Sequence, residues 1–329
     1  MIGNAPSPAA RTKTEVLDEA AIAELRAFNR SFEQRLAAAP PIESVPVAES
    51  RAAARAGSGT IPPPVFLPHA RELLIPGTHT IRLRVLAPEQ EASGIYLYLH
   101  GGGWVLGECD LQDPLLWQLA QATGLCVASV GYRLAPEHPY PAAPDDCEDA
   151  ALWLLEYGPA ELDAPPLFAI GGDSAGAHLS VVTLLRLRDR HGITGAFRAA
   201  NLVYGCYDLS MTPSQRLWGE RRLPLTTRGI CWFAHQYTPG YTDEQRRGPD
   251  ISPLYADLHG LPPALFSVGE LDPLLDDSLF MAARWRAAGN DTKLVVYPEA
   301  AHQFIRFPVA AARVCNDAQH TFLRKRTYL

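Results

Sequence analysis

A serine between small residues stands in the segment Gly172-Asp173-Ser174-Ala175-Gly176. The segment follows a β-rich run at Leu167–Ile170 and precedes a helical pattern that begins at about residue 175. A chain that turns from strand to helix in so few residues strains its backbone, and flanking glycines let neighbouring chains approach closely. We therefore expect an exposed Ser174 hydroxyl, beside an Ala175 N–H at the positive end of a helix dipole that would stabilise an oxyanion.

A second candidate for binding negative charge is the segment His100-Gly101-Gly102-Gly103-Trp104, which closes the predicted strand Ile95–His100. Three consecutive glycines expose a row of backbone N–H groups that can bind an anion. Taken alone, the segment is also compatible with a structural turn or a phosphate-binding loop. The phosphate loop is disfavoured because no Lys-Ser or Lys-Thr pair follows the glycines.

Nucleophilic catalysis by a serine requires two further side chains. A serine hydroxyl is a weak nucleophile near neutral pH, so an imidazole must take its proton and a carboxylate must orient that imidazole. Asp272 follows the predicted strand Ala264–Val268, and His302 follows the predicted strand Lys293–Tyr297. Because sites in parallel sheets form beyond the carboxyl ends of the strands, we expect Ser174, Asp272 and His302 to converge at one edge of the sheet.

Other polar residues compete for these roles. Asp276 and Asp277 lie one helical turn beyond Asp272 and are alternatives to it, but Pro273 places Asp272 at the last position before a helix can begin. The polar residues next to the motifs are expected to be structural: His100, Arg133, Glu137, Asp146, Asp173 and His178.

Short β-rich runs alternate with helical patterns from about residue 71 onward. The predicted strands are Glu72–Ile75, Ile81–Leu86, Ile95–His100, Cys126–Val130, Leu167–Ile170, Asn201–Tyr204, Ala264–Val268 and Lys293–Tyr297. The predicted helices cover about 113–123, 145–157, 175–190, 276–288 and 308–323. This alternation predicts an α/β fold, with a mostly parallel sheet and helices on both of its faces.

The N-terminal part of the chain has a different pattern. Residues 15–37 predict an amphipathic helix that ends before Pro40-Pro41, and a shorter helix covers Ala48–Ala56. The apolar stripe of the first helix is Leu17, Ala21, Leu25, Phe28, Phe32 and Leu36. Pro62-Pro63-Pro64 predicts a stiff linker. An aromatic-rich stretch at about 205–250 interrupts the later alternation and predicts a helical insertion, which would form a lid together with the N-terminal helices.

Composition limits the class of protein. The chain has 329 residues, of which 47% are hydrophobic and 20% charged, as expected of an ordinary globular protein. Its formal charge of −7 argues against a nucleic-acid partner, which would require a basic face. No stretch is long and apolar enough for a membrane span, and the six cysteines form no metal-binding or disulfide pattern. We therefore expect a cytoplasmic protein that acts on small, largely neutral molecules.

At five places the sequence resembles the hormone-sensitive-lipase-like carboxylesterases, also called bacterial esterase family IV, of the α/β-hydrolase fold. The matching segments are His100–Trp104, Tyr132–Ala143, Gly171–Leu179, Glu270–Leu274 and His302–Phe304. The resemblance extends over about residues 71–325, and the helical N-terminus also resembles the cap of that family. It implies an α/β-hydrolase fold with an eight-stranded sheet and a helical cap.

The resemblance also implies roles for individual residues. Ser174 would be the nucleophile, Asp272 the acid and His302 the base, in the chain order usual for this fold. The oxyanion hole would be formed by the N–H groups of Gly101, Gly102 and Ala175. Residues 1–64 would form an N-terminal cap segment and linker, and residues 65–329 the catalytic domain with the cap insertion at about 205–250. No metal and no organic cofactor are expected, and a homodimer is an expected assembly.

The sequence departs from the family pattern near His302. Gln303 stands where the family usually has glycine, and Glu299-Ala300-Ala301 lacks another glycine usual there, which would narrow the alcohol side of the pocket. The expected function is a serine carboxylesterase that forms an acyl-enzyme. Alternatives on the same triad are a biosynthetic deacetylase, a lactone hydrolase or an acyltransferase. A binding protein or a dehydratase on this fold is another alternative, disfavoured because such relatives usually have a damaged triad.

Overall fold

A computed structural model describes residues 16–58 and 63–327 of the chain. Glu15 of the predicted first helix, Pro62 of the predicted linker, and the outer residues 1–14 and 328–329 of the two predicted domains lie outside the described residues.

One eight-stranded sheet forms the centre of the molecule, with strand order β1-β2-β4-β3-β5-β6-β7-β8. The strands are β1 Arg71–Ile75, β2 Ile81–Leu86, β3 Gly94–Leu99, β4 Leu125–Gly131, β5 Phe168–Asp173, β6 Phe197–Val203, β7 Ala264–Leu271 and β8 Thr292–Ala301. β2 pairs antiparallel with β1 and β4, and the other five strand pairs are parallel. The predicted α/β architecture, with a mostly parallel sheet of eight strands, is confirmed.

Helices cover both faces of this sheet. They are α1 Glu19–Ala38, α2 Val47–Ala56, α3 Asp113–Thr123, α4 Ala142–Glu161, α5 Ala175–His191, α6 Pro213–Leu217, α7 Thr227–Tyr237, α8 Asp243–Arg246, α9 Leu275–Ala287 and α10 Ala310–Thr327. The apolar side chains of α4, α5 and α9 pack into one large core, while α3 and α10 pack against the other face of the sheet. Among the described helices, none has the length and apolar character needed to cross a membrane.

Three strands extend three or four residues further toward their carboxyl ends than the sequence predicts. β5 continues through Gly171 and Gly172, where a Cβ atom would lie 2.2 Å from Tyr96 Oη and 2.2 Å from Leu99 O respectively. Glycine is therefore required by close approach of neighbouring strands and does not end the strand. β7 and β8 continue to Leu271 and Ala301, so that Asp272 and His302 each directly follow a strand.

The N-terminal helix packs firmly on the sheet domain. α1 begins after Asp18, whose side chain accepts a hydrogen bond from Ala21 N at 2.8 Å and caps the helix. The predicted apolar stripe faces inward, with Leu25 and Phe32 each only 1% exposed. The Phe32 ring lies 5.0 Å from the Phe307 ring, so α1 shares a core with the segment that follows His302.

The predicted insertion at 205–250 contains the short helices α6, α7 and α8. Tyr207, Phe233 and Tyr237 are buried, while Tyr241 is exposed. Tyr237 stacks on Trp104 with ring centroids 4.7 Å apart. Arg222, in the loop before α7, donates a hydrogen bond of 2.9 Å to Ala39 O at the end of α1. The insertion and the N-terminal segment are therefore joined directly.

Candidate active site

The turn between β5 and α5 holds Ser174 in a strained conformation. Ser174 has φ +56° and ψ −118°, a region that non-glycine residues rarely adopt, and its N–H donates to Val203 O at 2.8 Å. A Cβ atom on Gly176 would lie 1.8 Å from Leu99 O. The glycine is therefore needed because α5 begins in direct contact with the end of β3.

The three side chains expected to converge do so. His302 Nε2 lies 3.0 Å from Ser174 Oγ, and His302 Nδ1 lies 2.8 Å from Asp272 Oδ2. All three are buried, with Ser174 the most exposed at 8%. With Asp272 as an acceptor, Nδ1 carries the proton, and Nε2 is left to accept a proton from the serine hydroxyl.

Asp272 is held in place by its own backbone, and its two rivals lie elsewhere. Asp272 Oδ1 accepts from Leu274 N at 2.8 Å. Asp276 accepts from Ser214 N at 2.8 Å, and Asp277 accepts from the main-chain N–H of Tyr207 at 2.7 Å. Both alternatives therefore bind the start of the insertion and not the imidazole.

The expected oxyanion role of Gly101 is wrong. Its N–H donates to Asp173 Oδ1 at 3.0 Å, so it is occupied by a carboxylate. Gly102 and Gly103, in contrast, line the cavity beside Ser174, and their N–H groups have no acceptor within the described parts of the chain. Both have positive φ, +127° and +60°, which turns this loop toward the serine.

Asp173 explains the arrangement of this loop. Besides Gly101, it accepts hydrogen bonds from Tyr98 Oη at 2.5 Å and from Gln112 Nε2 at 3.2 Å. Burial, with the nearby Asp173 charge, raises the pKa of Tyr98 well above its ordinary value, which keeps the phenol protonated as a donor. The prediction that Asp173 is structural is confirmed, since it fixes the first glycine of the loop.

The remaining polar residues of the motifs tie loops together, as predicted. Arg133 Nη2 lies 2.7 Å from Asp146 Oδ1, and Glu137 pairs with Arg51 of α2 at 2.9 Å. Arg51 also donates to Val105 O at 2.8 Å. The second N-terminal helix is therefore attached to the loop that carries Gly102 and Gly103.

Two histidines of the motifs are buried in structural contacts. His100 Nδ1 lies 2.8 Å from Gly101 O, and burial lowers the pKa of His100. His178 lies between Trp104 Nε1 at 3.1 Å and Ile251 O at 2.8 Å. Since the Trp104 N–H can only donate, His178 Nδ1 must accept and Nε2 must carry the proton. Burial lowers the pKa of His178 to about 4.

We expect His178 to make the protein sensitive to acid. Its pKa is about 4 in the folded chain and about 6.5 in an unfolded one, so the stabilisation present above pH 6.5 is lost as the pH falls toward 4. The loss amounts to on the order of 3 kcal/mol. Urea unfolding at several pH values measures this effect. Near neutrality, His178→Gln should have a lower free energy of unfolding than the wild type. Between about pH 6.5 and 4, its free energy of unfolding should fall less steeply with pH, by a slope that corresponds to up to about one bound proton. An unchanged slope would contradict this prediction.

A cavity of about 270 Å³ opens onto Ser174 and His302. Its walls come from the sheet domain, from Leu36 of α1 and the segment 39–45 that follows this helix, and from the insertion, including Phe233. Most of these side chains are apolar, while Arg222 and Glu43 supply charge. In the described residues, no group of three or more His, Cys, Asp or Glu side chains is arranged to hold a metal ion.

A sheet of this topology, with a strained serine between strand and helix and an imidazole and carboxylate behind it, defines an α/β-hydrolase. The model of a family described as having the alpha/beta hydrolase fold matches residues 96–306. The chain belongs to this family and, within it, to the hormone-sensitive-lipase-like carboxylesterases.

Similar proteins include several that are named as esterases. The chain is 37% identical to the ethyl acetate hydrolase of Pseudomonas putida over 235 residues, covering 69% of this chain and 72% of the relative. It is 37% identical to the carboxylic ester hydrolase LipN of Mycobacterium tuberculosis over 266 residues, 79% of this chain and 70% of the relative. A hyperthermophilic esterase from the archaeon Pyrobaculum calidifontis has a similar structure, with a TM-score of 0.82 and 30% identity over 91% of this chain and 97% of that one.

Proposed function

We propose that this protein is a serine carboxylesterase that hydrolyses small, largely neutral esters through Ser174, His302 and Asp272. The observation that carries the proposal is the pair of contacts made by His302, at 3.0 Å to Ser174 Oγ and 2.8 Å to Asp272 Oδ2. This arrangement activates a serine hydroxyl without any change of side-chain position.

The reaction has two stages in which His302 moves a proton each way. As the Ser174 oxygen attacks the ester carbonyl carbon, its proton passes to His302 Nε2, and the resulting imidazolium is stabilised by Asp272. The tetrahedral intermediate collapses, the C–O bond to the alcohol breaks, and the alcohol leaves with the proton from Nε2. Water then attacks the acyl-enzyme with the same proton transfers, and releases the carboxylic acid and the free serine.

The oxyanion hole in this proposal consists of the N–H groups of Gly102, Gly103 and Ala175. Gly102 and Gly103 line the cavity next to Ser174, whereas the N–H of Gly101 is bonded to Asp173. Ala175 is the first residue of α5, a helix of 17 residues, so its N–H lies at the positive end of the helix dipole. Negative charge that develops on the carbonyl oxygen would be stabilised there.

The substrate class follows from the size and lining of the cavity. A volume of about 270 Å³ accommodates a small ester, and apolar walls contributed by Leu209, Ile230 and Phe233 favour an uncharged acyl or alcohol group.

In this proposal residues 1–64 and the insertion at about 205–250 form the cap over the catalytic domain, residues 65–329. A cytoplasmic location is supported by the six free cysteines, and the charge of −7 disfavours nucleic acid as a partner. A homodimer, expected from the family resemblance, can be tested by sedimentation.

Labelling and turnover test this function together. A serine-directed phosphonate should attach one phosphonyl group per protein, and mass spectrometry should locate it in the peptide that contains Ser174. The hydrolysis of p-nitrophenyl esters should begin with a burst of p-nitrophenol when deacylation is slower than acylation. A series of acyl lengths then measures the limit that the cavity sets. Folded protein that neither reacts with the phosphonate nor hydrolyses any ester would overturn the proposal in favour of a binding protein.

Gln303 is expected to restrict the alcohol group. It has φ +66° and lines the cavity directly after His302. Gln303→Gly should raise kcat/KM for esters of bulky alcohols several-fold relative to ethyl esters, because it removes a side chain from the wall. It should change the free energy of unfolding by less than about 1 kcal/mol, since relief of the left-handed conformation offsets the added entropy of glycine. Gln303→Ala is the control, because it shortens the side chain but keeps the Cβ. If the alcohol preference were unchanged in both variants, the Gln303 side chain would not restrict the alcohol group.

A further inference from the structure

The strand β8, which leads to His302, has an irregular pairing with β7 just before this histidine. Gly269 pairs with Tyr297 in the β7–β8 ladder, but Leu271 pairs with Ala301, so Pro298, Glu299 and Ala300 lie opposite a single residue of β7. We call these three residues the β8 bulge. Glu299 has φ +56°, which is unfavourable for a residue with a side chain. A Cβ atom on Gly269 would lie 2.1 Å from Ala300 O, so the bulge presses directly against β7.

Side chains of α1 hold this bulge. Asn29 Nδ2 donates to Glu299 O at 2.8 Å, and Arg26 Nε donates to Glu299 Oε1 at 2.8 Å. From the other side, Glu299 N donates to Glu270 Oε2 at 3.2 Å. Asn29 is a polar residue only 4% exposed in the middle of the apolar stripe of α1, where an apolar side chain would otherwise be expected.

The placement of these bonds connects them to catalysis. Glu299 precedes His302 by three residues, and Glu270 precedes Asp272 by two, so the bulge links the two strand ends that bring the imidazole and carboxylate together. A strained backbone persists only when its surroundings hold it. If the bulge relaxed, the backbone of His302 would shift, and a displacement of about 1 Å can cost on the order of 10²-fold in rate.

We propose that Asn29 and Arg26 are positioning residues for the proposed esterase reaction: by clamping the β8 bulge, α1 sets the His302 imidazole between Ser174 and Asp272. The inference rests on the proposed function of those three side chains. Asn29 contributes the buried hydrogen bond to the main chain, and Arg26 pairs with the carboxylate of Glu299, the residue whose main-chain N–H binds Glu270. The N-terminal helix therefore acts on the rate constant of catalysis as well as on stability.

The test compares three variants of the full-length protein. Asn29→Leu removes the amide donor while keeping similar volume, and should lower kcat about 10- to 100-fold with KM within about 2-fold of wild type. Arg26→Met keeps the long side chain but removes the charge, and should lower kcat about 2- to 5-fold because the Arg26 side chain is 58% exposed to solvent. Arg30→Ala, at an exposed position of the same helix, should leave both constants unchanged.

A pH profile separates positioning from stability. A weaker contact between Asp272 and the imidazole stabilises the charged imidazole less, so the acid limb of kcat/KM should shift to lower pH in Asn29→Leu, and by a smaller amount in Arg26→Met. The proton NMR resonance of His302 Nδ1 should move upfield in the same order, independently of turnover. A variant that merely loses folded protein would show a lower active fraction by phosphonate titration, with normal kcat per active site and an unchanged acid limb.

Each outcome decides the inference. The inference would be overturned if folded Asn29→Leu had the same kcat per active site, acid limb and Nδ1 resonance as the wild type. It would also be overturned if the lower active fraction explained the whole loss of turnover in this variant. If Asn29→Leu does not fold, Arg26→Met decides, and the absence of any shift in its acid limb and resonance would overturn the inference. Wild-type protein that does not react with the phosphonate would instead refute the proposed function.

Discussion

Replacement of Ser174 by alanine is expected to lower turnover of p-nitrophenyl esters by about 10⁶-fold, because every acyl group must form a bond to this oxygen. His302→Ala should cost about as much, and Asp272→Ala about 10⁴-fold. Because the three act as one unit, the double variant Ser174→Ala/His302→Ala should be no worse than either single variant. Steady-state rates measure these losses. They are corrected for background hydrolysis, and phosphonate titration gives the correction for contaminating wild-type enzyme.

The matched control is Ser129→Ala. Ser129 is a fully buried serine of β4, in the same sheet, and its Oγ has no hydrogen-bond partner in the described structure. Its removal deletes the same atom from a side chain that does not line the cavity, and it should leave turnover unchanged. Retention of more than about one part in a hundred of the activity by Ser174→Ala would require a different nucleophile.

The second large effect is expected at Gly102. It has φ +127°, and a Cβ atom there would lie 2.1 Å from Leu106 O. Gly102→Val must therefore twist the loop and withdraw at least one N–H from the oxyanion, which should cost about 3 to 4 kcal/mol of transition-state stabilisation, or on the order of 10²- to 10³-fold in kcat. The affinity for a boronate that mimics the tetrahedral intermediate should fall in parallel, while binding of uncharged substrate changes less.

Gly260→Ala is the control for this prediction. Gly260 also has positive φ, +72°, but a Cβ atom there would meet no atom within 4 Å. The variant should lose about 1 kcal/mol of stability and keep its turnover. Full turnover in Gly102→Val would show that this loop does not bind the oxyanion.

The interiors of the helices and strands could be predicted from the sequence because their signals are local. The apolar stripe from Ala21 to Leu36 has helical spacing, and it becomes the inward face of α1. Leu17, which was predicted to belong to the stripe, is buried in the same core just before the helix begins. The short β-branched runs become strands for a similar reason, since alternating side chains must be buried in a sheet. The order of Ser174, Asp272 and His302 along the chain likewise predicted which strand ends carry the three side chains.

The carboxyl ends of β5, β7 and β8 could not be predicted in this way. They contain glycine, glutamate and proline, residues that usually end strands. They continue as strands here because neighbouring chains occupy the space, as Tyr96 does at Gly171 and Ala300 does at Gly269. These strand ends determine the distances at the site, so the geometry of the site was less predictable than its residues.

The sequence by itself determined which residue types are available for catalysis, in what order, and at the end of which strands, because these follow from patterns of a few neighbouring residues. It did not determine which glycine N–H groups are free. That depends on Asp173, which lies 72 positions after Gly101 and accepts its N–H, and on the cavity that Gly102 and Gly103 line together with α7 and the segment after α1. A hydrogen bond between residues so far apart is decided only by the packing of the whole chain, and so is the clamp by which Asn29 holds the strand that ends at His302.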